Sequence, residues 1–138
     1  MNKQVFINFP VSDLAKSTAF YEALGFTKNP DFSDENTSSM MWSDSIVFML
    51  LTHDFYQKFL QGKTIADTRT TSAALVALTV DSREAVQQFA DTAKVNGGNY
   101  FVARPNEGLD FMFSYEVEDP DGNVLEPVWM GPSFNPQA

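Results

Sequence analysis

Few residues in this chain carry reactive chemistry, and the most conspicuous is Glu126, set in the apolar run Val124, Leu125, Glu126, Pro127, Val128, Trp129. Alternation along a strand puts Val124, Glu126 and Val128 on one face. An ionised, unpaired carboxylate is strongly disfavoured in apolar surroundings. Glu126 therefore needs a partner, a proton, or a wet cavity or ligand to face. Arg104 and Arg69 are candidate ionic partners, and Asn8 or a tyrosine hydroxyl could donate to it. Facing a cavity, the same group would act as a general base or as an anchor for a cationic or hydrogen-bonding ligand. The remaining inventory is short. One histidine and no cysteine exclude thiolate ligands, thiol nucleophiles and disulfides. His53 stands where a strand gives way to a loop and reads as a surface histidine. No Gly-x-Ser-x-Gly elbow, phosphate loop or trustworthy pair of acids accompanies it.

The elements that must position Glu126 begin with the turn before it. In Asp119-Pro120-Asp121-Gly122-Asn123, Pro120 fixes φ early and Gly122 tolerates a positive φ, so the chain reverses between paired strands. Pro127 cannot donate to a ladder and predicts a bulge or a locally unpaired edge. Upstream, residues 5–9 form a short strand, and Ser12 or Asp13 caps a helix through Leu24, stopped by Gly25. Leu14, Tyr21 and Leu24 form its inward stripe, with Phe20 at the flank. A loop at 29–36 precedes strands at 37–42 and 46–51, and residues 54–60 suggest a short helical piece closed by Gly62. Polar residues 63–73 read as a linker. A strand at 75–80 leads to a helix opened by Asp81 and Glu84, buried through Val86, Phe89 and Ala93, and stopped by Gly97 and Gly98. Strands at 100–103 and 111–117 then reach the turn. The organisation is a first module at 1–62, the linker at 63–73, a second module at 74–130 and a tail at 131–138, together one domain.

Composition narrows the function classes. The 138 residues are 43% hydrophobic and include 13 Phe, enough for a full and unusually aromatic core. A formal charge of −9 repels nucleic-acid phosphates and anionic lipid, so neither is an expected partner. The N-terminal residues carry no signal-peptide pattern and no apolar run reaches membrane-spanning length, giving a cytoplasmic expectation.

The two halves repeat. A shift of 69 residues lays Phe6 on Leu75, the Ser12-Asp13 cap on Asp81-Ser82, and Phe20 on Phe89. Near the end of each half a shift of 77 lays Asp44 on Asp121 and Met49 on Glu126. The eight extra residues fall in loops, and the pattern is two copies of strand, helix and three strands.

Phe9-Pro10-Val11-Ser12-Asp13-Leu14, Phe20-Tyr21, Leu24-Gly25-Phe26, and Asp119-Pro120-Asp121-Gly122-Asn123 with Glu126 together resemble the vicinal oxygen chelate superfamily, over residues 5–130. That superfamily includes glyoxalase I, extradiol dioxygenases, fosfomycin-modifying enzymes and bleomycin-resistance proteins. Val47 to Thr52, Val80-Asp81-Ser82-Arg83 and Trp129-Met130 are most similar to its lactoylglutathione-lyase-related branch. The resemblance implies an α+β fold, two tandem βαβββ modules forming a curved mixed sheet around a cup. It also implies four metal-ligand positions, occupied here by Phe6, Met49, Leu75 and Glu126. Three of these offer no imidazole or carboxylate to a divalent ion. His53 lies roughly 13 Å along the strand from Met49, too far to substitute. No metal and no cofactor is expected.

The expected ligand-binding set is Phe6, Asn8, Trp42, Met49, Leu51, Leu75, Ala77, Tyr115, Glu126 and Val128, mostly apolar side chains in an arrangement typical of small-molecule sites. The first functional reading is a metal-independent protein binding a small aromatic or cationic molecule. The second is a glyoxalase-type lyase or isomerase with Glu126 as the catalytic base, and the third an interaction module whose cup is filled by its own side chains. The resemblance further implies a homodimer.

Overall fold

A computed structural model describes residues 2–103 and 111–131. The chain divides into two compact units, Met1–Thr71 and Ser72–Ala138, each with its own mixed sheet. The α+β class and the two-module plan are as the sequence implies.

In the first unit the order is β1 (Val5–Val11), α1 (Leu14–Ala23), β2 (Thr27–Lys28), β3 (Thr37–Met41), β4 (Ile46–Thr52) and a short helix α2 (His53–Gln57). The sheet order is β1-β4-β3-β2, with β1 parallel to β4 and the other pairs antiparallel. Asp13 is the cap that starts α1, accepting from the Lys16 N–H at 3.0 Å. Gly25, at φ 105, turns the chain out of the helix. Of the expected stripe, Tyr21 and Leu24 are buried, with Phe20 beside them. Phe20 and Tyr21 are fully buried while Leu14, at the start of the helix, is only half-buried. Tyr21 packs edge-on against Phe20, Phe26 and Phe48 at 5.1, 5.2 and 5.8 Å, and Phe9 meets Phe48 at 5.2 Å. A hydroxyl pair, Thr18 to Ser38 at 2.7 Å, fastens α1 to β3.

The second unit runs β5 (Leu75–Thr79), α3 (Arg83–Val95), β6 (Asn99–Phe101), β7 (Met112–Ser114), β8 (Glu116–Glu118) and β9 (Val124–Met130). Its order is β5-β9-β8-β6, with β7 also on β9. Ser82 caps α3 through the Ala85 N–H at 3.0 Å, and Val86, Phe89, Ala90 and Ala93 are buried as the periodicity requires. Asp119 organises the turn. Its carboxylate accepts from the Asp121 and Asn123 N–H groups and the Asn123 amide, each at 2.9 Å, and Gly122 adopts φ 90.

The single strand expected at 111–117 is broken at Tyr115, for a reason carried by Pro127. Ser114 pairs with Val128 and Val117 with Leu125, so two residues face two across the gap and the register is unchanged. There is no bulge. The Val128 carbonyl accepts from Val80 at 2.9 Å on the β5 side, so alternation turns the Pro127 backbone towards Tyr115. The N–H that would close the ladder there does not exist.

Strand pairing also carries the duplication. Asn8 lies beside Met49 and Ala77 beside Glu126; the shift of 69 relates the first members and the shift of 77 the second. Likewise Asp13 and Ser82, the two helix caps, are 69 residues apart.

Candidate functional site

On the first sheet, cross-strand neighbours Phe6, Val47 and Met41, then Asn8, Met49 and Ser39, then Pro10, Leu51 and Thr37, share the face away from α1. Phe6 is 53% exposed, Asn8 is exposed, Met49 half-buried and Leu51 buried. Over this face lies α2 and the turn after it. Thr52 ends β4 and starts α2 by accepting from the Phe55 N–H at 3.4 Å. Leu60 donates to the Gln57 carbonyl, and the Gln57 amide donates to the Lys63 carbonyl at 2.6 Å. The return is made at Gln61 and Gly62, with φ 50 and 87. The left-handed conformation is easy for Gly62 and unusual for Gln61.

Between strands and helical turn is a cavity of about 280 Å³, lined by Asn8, Leu51, Tyr56, Phe59 and Leu60. Asn8 and Leu51 were expected in the site; Tyr56, Phe59 and Leu60 were not. Their signal was present as an apolar and aromatic spacing within 54–60. What the sequence lacked was the direction in which that short helix folds back. The Asn8 amide donates weakly to the Phe6 carbonyl at 3.4 Å. No hydrogen-bond partner of the Tyr56 hydroxyl is found among the described residues.

On the second sheet, Leu75, Ala77, Glu126 and Val128 share the face away from α3. Leu75 is 62% exposed, Val128 is buried, and Glu126 is half-buried. Among the described residues no group hydrogen-bonds or pairs with Glu126; Arg104 lies outside them. The register that brackets Tyr115 also sets Glu116 directly across from Glu126. Two acids therefore stand at neighbouring positions across the two strands. The Glu116 carboxylate is engaged, accepting from the Ala103 N–H at 3.1 Å.

Two expected binding residues lie on the opposite faces of their sheets. Trp42 continues the alternation of Ser38 and Met40 and packs on Phe26 at 5.0 Å, on the α1 side. Tyr115 faces α3, donating to the Gln87 side chain at 2.8 Å and stacking on Tyr100 at 5.4 Å. Phe113 and Trp129 share that side, beneath the Arg83 guanidinium at 5.4 and 4.7 Å. Strand parity decides both cases: an aromatic residue one position out of phase lies on the helix side of its sheet.

Among the described residues no group of three or more His, Cys, Asp or Glu could hold a metal ion. At the four positions the resemblance implies, Phe6, Met49 and Leu75 supply no suitable donor, so this residue set does not fit a divalent ion. His53 is exposed at the start of α2. Among the described residues no helix is long and apolar enough to cross a membrane.

Residues 3–41, spanning β1, α1, β2 and β3, match a family model described as bleomycin resistance protein-like N-terminal. No curated protein matches the chain. Solved structures similar to it include the hypothetical protein SA1046 from S. aureus, 24% identical with a TM-score of 0.77, over 94% of this chain and 95% of that one. A glyoxalase/bleomycin resistance protein/dioxygenase family enzyme from Burkholderia phytofirmans PsJN is 19% identical, with a TM-score of 0.77 over 94% and 99%. A bleomycin-binding protein complexed with bleomycin is 20% identical, with a TM-score of 0.61 over 93% and 98%. The fold of this chain is thus that of the glyoxalase/bleomycin-resistance proteins.

Proposed function

We propose that the chain is a member of the vicinal oxygen chelate superfamily that binds a small molecule without a metal, using the cavity of its first unit. The observation that carries this reading is that cavity, with Asn8 and Leu51 on its floor and Tyr56, Phe59 and Leu60 against them. Apolar walls with a few polar groups suit small-molecule binding. The match of residues 3–41 to a bleomycin-resistance model and the likeness to a bleomycin-binding protein support the same direction. Ligands that bind the native state raise its apparent stability by mass action. A thermal-shift screen of small aromatic and cationic compounds, repeated with chelator, is the test. Stabilisation by at least one compound class, unchanged by chelator, is expected; a metal requirement would overturn the metal-free reading. Elemental analysis after desalting should likewise find no stoichiometric Zn, Ni, Mn or Fe. One equivalent lost on Glu126→Ala would contradict it.

A second reading, a glyoxalase-type lyase or isomerase, is favoured by one observation: Glu126 is half-buried without a pairing group among the described residues. A carboxylate so placed could accept a proton from carbon next to a carbonyl. An activity against a thiohemiacetal of methylglyoxal, abolished by Glu126→Gln, would establish it. We also propose a cytoplasmic homodimer. β1 and β5 end their sheets and expose Val5, Phe6 and Leu75, the kind of edge a second copy covers.

A further inference from the structure

We infer that the cavity selects an uncharged, flat aromatic molecule of one or two rings that carries a hydrogen-bond donor, such as a phenol or an aromatic N–H, rather than a cation. This rests on the cavity being the binding site, and narrows its ligand by charge, size and polarity. Charge is decided by the walls. Asn8, Leu51, Tyr56, Phe59 and Leu60 include no carboxylate, ammonium or guanidinium. An ionic ligand entering there would lose hydration with no opposite charge among the described lining residues to replace it. Asp54 and Lys58, the charged residues of α2 and its C-cap, are exposed and outside that lining, and the Lys58 ammonium lies 5.8 Å from the Phe55 ring.

Size follows from the volume. About 280 Å³ lies just below the usual range of ligand pockets, roughly 300 to 1,000 Å³, so one ring or two fused rings fill it. Flatness follows from the two rings in the wall, Tyr56 and Phe59, which favour an aromatic partner in edge-on or offset contact. Phe59 is 66% exposed, leaving ring surface that a stacked ligand would cover.

Polarity follows from two groups. Asn8 uses its amide N–H on the Phe6 carbonyl, and its side-chain oxygen has no donor among the described residues. That oxygen accepts but cannot donate. The Tyr56 hydroxyl can do either, so a phenol donates its O–H to the Asn8 oxygen and accepts from Tyr56, whereas an aromatic N–H satisfies Asn8 alone. A ligand without a donor leaves the Asn8 oxygen unpaired beneath an aromatic ring.

Four probes of one shape separate these claims: 2-naphthol, 2-methoxynaphthalene, 2-naphthylmethylammonium and 2-naphthoate, each titrated calorimetrically into the full-length protein. The expected order puts 2-naphthol first, with the methyl ether weaker by roughly fivefold and both ions weaker still. Phe59→Ala, at an exposed position that leaves the core intact, should weaken 2-naphthol severalfold. Asn8→Asp places a charge in the wall and should turn the preference towards 2-naphthylmethylammonium. If an ion binds wild-type protein more tightly than 2-naphthol, and Phe59→Ala still weakens it, the cavity remains the site and the uncharged class is wrong. If none of the four binds at millimolar concentration, or if Phe59→Ala changes nothing, the cavity itself is refuted as the site.

Discussion

Glu126 and Glu116 occupy facing positions on β9 and β8, and like charges placed so oppose pairing. Glu126 has no compensating donor among the described residues. Glu126→Gln removes one charge while keeping the shape, so urea denaturation near neutral pH should show stability unchanged or raised by about 0.5 kcal/mol. A loss above about 1 kcal/mol would reveal a structural partner and remove Glu126 from any site. By contrast Phe48, buried among Phe9, Tyr21 and Phe26, is a packing residue. Phe48→Ala should cost about 3–5 kcal/mol in the same measurement, and a cost under 1 kcal/mol would contradict the aromatic core. The face of Glu126 was legible from alternation along its own strand. Glu116 opposite it was not, because that neighbour is set by the register across the turn, which no local pattern states. Trp42 and Tyr115 were misplaced for a related reason: aromatic character suits both a binding rim and a core, and only parity along the strand separates the two.

At the scale of elements, caps and stops were readable because each is a local arrangement of hydrogen bonds. Asp13 and the glycine after each of α1 and α3 need only neighbouring residues to act, while α3, expected to open at Asp81, is capped one residue later by Ser82. The two-residue strand β2 escaped notice, since Thr27–Lys28 is too short for any alternation to show. Helix α2 was anticipated as an element but not as a cavity wall, because its fold-back depends on Gln61 and Gly62. Pro127 shows a local rule with a non-local outcome. Pro127→Val, close in volume, restores the missing donor opposite Tyr115 and should join β7 to β8. Hydrogen exchange would then find the new amide at 127 protected like its neighbours on β9. Fast exchange at that amide would mean that something other than the proline interrupts the ladder.

At the scale of the molecule, the repeat counted in the sequence reappears as strand pairing, Asn8 with Met49 and Ala77 with Glu126. Duplicated registers have fixed the same positions in both units while the side chains have diverged. Asn8 and Met49 stand in one pair where Ala77 and Glu126 stand in the other, so the units are alike in backbone and unlike in chemistry. The homodimer proposed above should appear as twice the chain mass by light scattering at micromolar concentration, and a monomeric mass would count against it. The proposed binding of a small molecule in the cavity of the first unit has a direct test. A titration with 2-naphthol, followed through the side-chain methyl resonances of a leucine-labelled sample, reports on Leu51 and Leu60 in its wall and on Leu125, fully buried in the second unit. Saturable shifts at Leu51 and Leu60, with Leu125 unmoved, are the predicted result; unmoved Leu51 and Leu60 methyls at millimolar ligand would contradict binding in that cavity.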